Sequence, residues 1–405
     1  MPPSRLARTE TIYLVGTSGH PNFGDELITA AWLQFLATAR PEADVWLDCP
    51  NPGLASHLFD GHHPRLRVTN TLWRLVGETR DMAPQEATAY VDRVVTRLGS
   101  PFYDLGLIRA HQATTVHLIG GGYMNTVWPF HTWLFRAALR LRDVGGARLV
   151  ATGLGLTPVA DRDALVEAAN GFDHLTVRDA TSAELSGAAL AHDDAFLHLP
   201  QVPGFGDAAA RDDDIWVCAQ NDMTDPEAFE ATVAAVRSAL TGPELAGRTV
   251  RYLESMPLVD RMAYDRLSDL IPAENFVPFV DVWRRGFPGR AGQTWLTSRF
   301  HFHLLAAACG AEGTALEVSA DYYRVKHGSL IAAGTGWSVT PTGSTSVTPP
   351  AGAGAFPEAA ARLHEAKLRE ARGLYPATTT EPAPAPMEPA NPPAAEPAPA
   401  QPPAQ

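Results

Sequence analysis

TWLTSRFHFHLLAAACG, residues 294–310, opens on an apolar run and closes on a glycine. Trp295-Leu296 runs into Ser298, a favoured helix N-cap, and a helical pattern begins at Arg299. Leu304, Leu305, Ala307 and Ala308 hold helical spacing until Gly310 can end the helix. The stretch therefore reads as strand, tight turn, helix. Its helix starts with a guanidinium (Arg299) and an imidazole (His301) beside backbone N–H groups that lack intrahelical partners. Such an end attracts anions through its free donors and its dipole. Residues two apart on a helix do not share a face, so Arg299 and His301 can serve one ligand only from the first turn. His303, four residues after Arg299, shares its face and rivals His301. A capped structural helix with a surface arginine is the plain alternative.

Around this stretch the chain alternates strands and helices. Thr11–Val15 is a short apolar and β-branched run ending at Gly16, the pattern of a buried parallel strand. Leu27, Ile28, Ala31, Trp32 and Phe35 then form a helical stripe. Strands are predicted at 44–47, 115–119, 148–151 and 174–177, with helices over 129–141 and around 165–169. A Pro-, Gly- and Asp-rich segment at 199–214 marks a boundary, and the alternation restarts. Beyond it, strands are predicted at 215–219, 249–253, 275–278 and 315–318, with helices at 226–240, 260–271 and 280–286. The fold class is α/β, with two Rossmann-like domains facing a cleft, over residues 1–200 and 214–335. An Ala-rich helix at 357–374 follows, and 376–405 is nearly a Pro/Ala repeat, expected to be disordered.

Composition narrows the function. The 405 residues carry 32 Lys and Arg against 45 Asp and Glu, a formal charge of −13, which argues against a nucleic-acid binder. Three cysteines (Cys49, Cys218, Cys309) make a disulfide framework unexpected, and Cys218 and Cys309 sit in apolar surroundings that suit buried thiols. No Cys/His cluster suggests zinc, so no metal is expected. The N-terminal apolar run is too short for a signal peptide, and no segment is long and apolar enough to span a bilayer. A cytoplasmic location is expected.

The loops carry the remaining candidates. Gly16–Glu26 is neither a P-loop nor a clean dinucleotide fingerprint. Asn22 and Asp25 could bond or activate sugar hydroxyls, or cap the helix that follows. Gly120-Gly121-Gly122 after a buried strand implies a close ligand or a cramped turn, and Gly153-x-Gly155 repeats the pattern on the next strand. Arg178-Asp179 is either a cleft arginine or an internal ion pair. Trp128 and Trp133 offer a face to a sugar ring or pack in a core. His20, His117, His131 and His174 are scattered and fit core or surface positions.

Taken in order, these pieces resemble the polysaccharide pyruvyl transferase family. They are Asn22-Phe23-Gly24-Asp25, Gly120–Gly122, Gly153-Leu154-Gly155 with Pro158, and Val177-Arg178-Asp179 with Ser182. Ser298-Arg299-Phe300-His301 with Leu304-Leu305-Ala306 and Gly310 comes next, and Tyr323-x-x-Lys326 closes the series. The resemblance implies a GT-B-like pair of domains, the first for the acceptor and the second for phosphoenolpyruvate. It implies transfer of a pyruvyl group from phosphoenolpyruvate to a sugar of a cell-surface polysaccharide or its precursor, with no cofactor beyond that donor. Arg299 would grip the donor and His301 would act as acid, Lys326 would hold phosphate, and Asn22, Gly24, Asp25, Gly121, Gly122 and Ser298 would complete the site. A lipid-linked acceptor would bring the protein to a membrane surface peripherally. A nucleotide-sugar glycosyltransferase of GT-B type and a catalytically silent glycan binder are the other readings.

Overall fold

The computed structural model describes residues 9–199, 211–319 and 322–376. The predicted tail from 377 and most of the 199–214 segment lie outside them.

Seven short parallel strands build the first sheet: β1 (Thr11–Val15), β2 (Asp44–Asp48), β3 (Leu66–Thr69), β4 (Thr115–Leu118), β5 (Arg148–Leu154), β6 (His174–Val177) and β7 (Ala189–Leu190). Their order is β3-β2-β1-β4-β5-β6-β7. Six more form the second sheet: β8 (Ile215–Cys218), β9 (Val250–Leu253), β10 (Phe276–Val277), β11 (Thr294–Thr297), β12 (Glu312–Leu316) and β13 (Ser338–Thr340). These run β10-β9-β8-β11-β12-β13, also all parallel. The central strands β4, β8 and β11 are buried along their whole length, as apolar runs covered by helices on both faces must be.

In each sheet the first strand sits in the middle, so chain order reverses between β1 and β4 and again between β8 and β11. Ligands of open parallel sheets bind beyond the strand ends at such switch points. The two reversals carry the loops after β1, β4, β8 and β11, which hold Asn22, Gly122, Asp222 and Arg299. Topology alone converges these four loops.

An aromatic cluster and the C-terminal helix help fasten the halves. Phe23, at the start of the Phe23–Ala39 helix, packs its ring 5.6 Å from Phe302 and 6.3 Å from both Trp283 and Phe287 of the second half. Aromatic pairs of this kind add about 0.5–1.5 kcal/mol each beyond the area they bury. The C-terminal helix, Phe356–Leu374, then returns to the first half. Its Lys367 ammonium, fully buried, lies 2.7 Å from Asp194 and 2.7 Å from Glu370. Tyr375 reaches His117, with its hydroxyl 3.0 Å from Nδ1.

Several elements differ from expectation. Pro129–Thr132 forms a 3-10 turn, and the helix proper runs Trp133–Gly145, because proline seeds a tight first turn. The helix expected over 260–271 spans only Arg261–Leu267. The last strand is β13, so the second sheet extends past residue 335 to Thr340; three residues flanked by loop composition give little periodic signal. Between β2 and β4 the sequence left unassigned β3 and the helices Pro52–Leu58, Thr71–Gly77, Pro84–Thr96 and Asp104–His111. Cys218 is buried, but Cys309 is exposed, because it caps the Phe300–Ala308 helix where the chain turns outward.

Candidate active site

A cavity of about 700 Å³ opens where the four loops meet. Asn22, Asp25 and Arg178 line it from the first half, and Arg299, His301 and Lys326 from the second.

The organising helix begins one residue later than its sequence suggests. Arg299 is the N-cap, with extended φ −83° and ψ 117°, and Phe300–Ala308 is helical. The Arg299 N–H donates to Thr297 Oγ1 at 3.0 Å. Ser298 does not cap. It is fully buried, and its hydroxyl accepts from the Gln220 N–H at 2.9 Å, so it braces β8 against β11 rather than facing the cavity. Arg299 and His301 thus both occupy the helix start, the one arrangement that lets residues two apart reach the same space.

His301 projects from this turn toward the first half. A Cβ on Gly24 would overlap its imidazole, so Gly24 is the gap through which one helix start admits a side chain from the other. His301 Nε2 lies 3.3 Å from Asp193 Oδ1. Burial opposes ionisation of Asp193, but His301 and Arg178 outweigh it and hold the carboxyl well below the usual carboxylate range. Asp25 sits nearby and accepts from Asn22 Nδ2 at 3.0 Å. Burial lifts the Asp25 carboxyl above its ordinary range, with His301, Lys326 and Arg178 opposing the shift.

Arg178, which the sequence left between two readings, satisfies both. Its Nη1 donates to Asp193 Oδ2 at 2.8 Å, and it lines the cavity. The glycine loops make its seat. A Cβ on Gly155 would fall 2.8 Å from Arg178 Nε, and one on Gly122 would fall 2.9 Å from Nη2 and 2.5 Å from the Tyr322 hydroxyl. The guanidinium also stacks over the Phe300 ring at 4.8 Å. Gly121 lies behind the cavity, where its carbonyl accepts from the Gly155 N–H at 2.9 Å.

Arg299 is more heavily neutralised. Nε donates to Asp260 Oδ1 at 3.0 Å, Nη2 donates to the same carboxylate, and Nη2 lies 3.2 Å from Asp222. Asp260 is fully buried. Lys326, on the Tyr323–Ala332 helix, differs: among the described residues it has no carboxylate within ion-pair distance. Its ammonium rests 3.7 Å above the Tyr322 ring, and the Tyr322 hydroxyl donates to the Gly122 carbonyl across the cleft at 2.7 Å. Burial, then Arg178, push the Lys326 ammonium well below its ordinary pKa, against the pull of Asp25. The cavity therefore gathers three basic side chains: Arg178 and Arg299 are paired with carboxylates, and Lys326 has none within ion-pair distance among the described residues.

His303 does not compete for this space. It is fully buried, stacked on Trp337 at 4.3 Å, with Nδ1 3.1 Å from His327 and Nε2 3.0 Å from Thr335. Burial and His327 hold it well below the ordinary histidine pKa. Trp128 lines the cavity, stacked with His131, while Trp133 packs into the first-half core. Asp193, Asp260 and Asp222 went unread in the sequence, since none belongs to a motif. Asp193 lies 108 residues from the histidine it meets.

Comparison with known proteins places the fold. The chain is similar to a candidate UDP-N-acetylglucosamine 2-epimerase from Listeria monocytogenes, with TM-score 0.51, 13% identity and 91% of each chain covered. It is also similar to a UDP co-structure of S. aureus MnaA, at TM-score 0.49, 11% identity and 91% and 90% coverage. A spinosyn rhamnosyltransferase aligns at TM-score 0.45 and 15% identity over 88% of this chain and 96% of that one. The fold is GT-B-like, two parallel sheets with helices on their faces. No curated protein matches the chain. A sequence model described as polysaccharide pyruvyl transferase matches residues 22–241, more than half of the chain, including the loops that hold Gly24, Gly122 and Arg178. The chain belongs to the polysaccharide pyruvyl transferase family.

Proposed function

We propose that the protein transfers the pyruvyl unit of phosphoenolpyruvate to two hydroxyls of a sugar in a cell-surface polysaccharide or its precursor, as a ketal, in the cytoplasm. The observation that carries this reading is the group of three basic side chains, Arg178, Arg299 and Lys326, around a histidine at a helix start. Phosphoenolpyruvate brings a carboxylate and a phosphate into that space. Lys326 and Arg178 are placed to hold them, with Arg299 presenting whatever edge Asp260 leaves to the cavity.

His301 protonates the methylene carbon, which becomes a methyl group and leaves oxocarbenium character on the neighbouring carbon. Asp193, 3.3 Å behind the imidazole, orients the ring. A sugar hydroxyl adds to the electron-poor carbon, and Asp25 is placed to take its proton. The bond to the phosphate oxygen then breaks, phosphate leaves toward Lys326, and the second hydroxyl closes the ketal. One hydroxyl proton replaces the one His301 gave to carbon, and the other departs with phosphate. No metal or further cofactor enters this scheme.

The test is to incubate the protein with phosphoenolpyruvate and candidate glycan acceptors, measuring phosphate and ketal together. Stoichiometric release supports the reading. Release of a nucleoside diphosphate from a nucleotide sugar would replace it with glycosyl transfer, and acceptor binding without release would mark a silent binder.

A further inference from the structure

Nine large hydrophobic side chains are exposed among the described residues, and four of them (Leu98, Phe102, Leu105 and Ile108) fall within eleven consecutive positions. Phe102 is 72% exposed and Leu105 81%. A chain of mixed composition scatters such residues singly, so a cluster calls for a partner surface. The cluster spans the loop after the Pro84–Thr96 helix and the outer face of the Asp104–His111 helix, where Leu105 and Ile108 are one turn apart.

Its charge is opposite to that of the whole. From 93 to 109 the chain carries Arg93, Arg97 and Arg109 against Asp104, so 3 − 1 = +2, within a protein of net charge −13. Asp104 is occupied by the Gly99 and Ser100 N–H groups, each 3.0 Å away. The three arginines are exposed, and none of them has an ion pair to a carboxylate among the described residues. The neighbouring Asp92 does not soften the patch, because Arg136 and Arg140 hold it. Arg67 and Arg109 flank Trp46 at 5.7 and 6.0 Å, adding a second basic edge.

The patch is continuous with the cavity. Arg74 lines the cavity, and its guanidinium lies 5.0 Å over the Phe102 ring and 5.6 Å over Tyr103. We infer that Leu98–Arg109 is a docking surface for an anionic lipid bilayer, with Phe102, Leu105 and Ile108 entering the interface and the arginines bonding lipid phosphates. Apolar side chains ringed by arginine are the composition of an interfacial membrane contact, in which burial and attraction to anionic headgroups act together. A sugar carried on a membrane lipid could then enter the cavity past Arg74. That last step rests on the pyruvyl-transfer reading, whereas the docking does not.

Flotation with phosphatidylglycerol-containing vesicles, compared with pure phosphatidylcholine vesicles, tests this without donor or acceptor. The full chain is expected to float with the anionic vesicles, less so at high salt. F102D/L105D is expected to partition at least about tenfold more weakly, with an unchanged thermal midpoint because both side chains are already exposed. R93E/R97E is expected to lose the preference for anionic over neutral vesicles. Absence of flotation, or equal flotation by F102D/L105D, would overturn the proposal. So would a concentration-dependent dimer that F102D/L105D dissociates, since the patch would then be a contact between copies. None of these results bears on phosphate release from phosphoenolpyruvate, so the two readings fail separately.

Discussion

The two walls of the cleft each present a buried arginine, and they neutralise it differently. In the first half Arg178 meets one carboxylate, Asp193, at 2.8 Å, and shares it with His301. Glycines at 122 and 155 leave the rest of its guanidinium room beside the cavity. In the second half Arg299 is gripped by fully buried Asp260 through two nitrogens and approached by Asp222 at 3.2 Å. One arginine is kept available by small neighbours, the other is committed to a buried pair. The same residue type therefore sits in two settings: Arg178 keeps an edge on the cavity, and Arg299 ties together the loops after β9 and β11 beside His301.

The sharpest way to break this picture is at the histidines. His301→Ala is expected to lower kcat for ketal formation about 10²- to 10⁴-fold while the protein stays folded, the range for loss of a general acid. His303→Ala is expected to retain kcat per folded molecule and to lower the thermal midpoint, since it empties a stacked core site. Gly24→Ala should copy the kinetic defect of His301→Ala, because the added methyl displaces the imidazole without removing it. A kcat unchanged in Gly24→Ala would show that the position of His301 against the first half does not matter.

The arginine comparison itself comes next. Arg299→Ala leaves the Asp260 carboxylate buried and is expected to cost about 3–5 kcal/mol in denaturant unfolding. Arg178→Ala leaves Asp193 its contact with His301 and should act chiefly on KM for phosphoenolpyruvate, by about tenfold to a hundredfold. If the two variants exchange these signatures, the division of labour runs the other way.

The last effect is on pH. Burial lowers His117 to about 3, and His131, His198 and His327 to about 4. Their folded pKa values lie below the unfolded one, so the unfolded chain takes protons first as pH falls. Stability is then full above about pH 6.5 and declines as pH falls toward 4. His327→Gln should flatten that decline in urea titrations at pH 6.5 and 5.

Much of this was legible in the sequence. The strand–turn–helix of 294–310, the glycine loops and the need for a first-turn placement of Arg299 and His301 all follow from spacing and backbone chemistry. The partners did not, for a physical reason. Asp193, Asp260 and Asp222 act through contacts set by sheet order, and a carboxylate in a loop has no period to reveal it. The glycines are more instructive. Their spacing left a close ligand or a cramped turn open, and Gly24, Gly122 and Gly155 make room for His301, Arg178 and Tyr322 of the protein itself.

The Lys367–Asp194 pair has a consequence for how the molecule can be divided. Asp194 also accepts from Trp32 Nε1 at 2.6 Å, Thr152 Oγ1 at 2.6 Å and the Gly120 N–H at 2.8 Å. The last element of the described chain thus plugs the floor of the sheet that begins it, and neither half is a detachable module. A fragment ending before Phe356 would open a dry socket around Asp194, just beneath the glycine turn that seats Arg178.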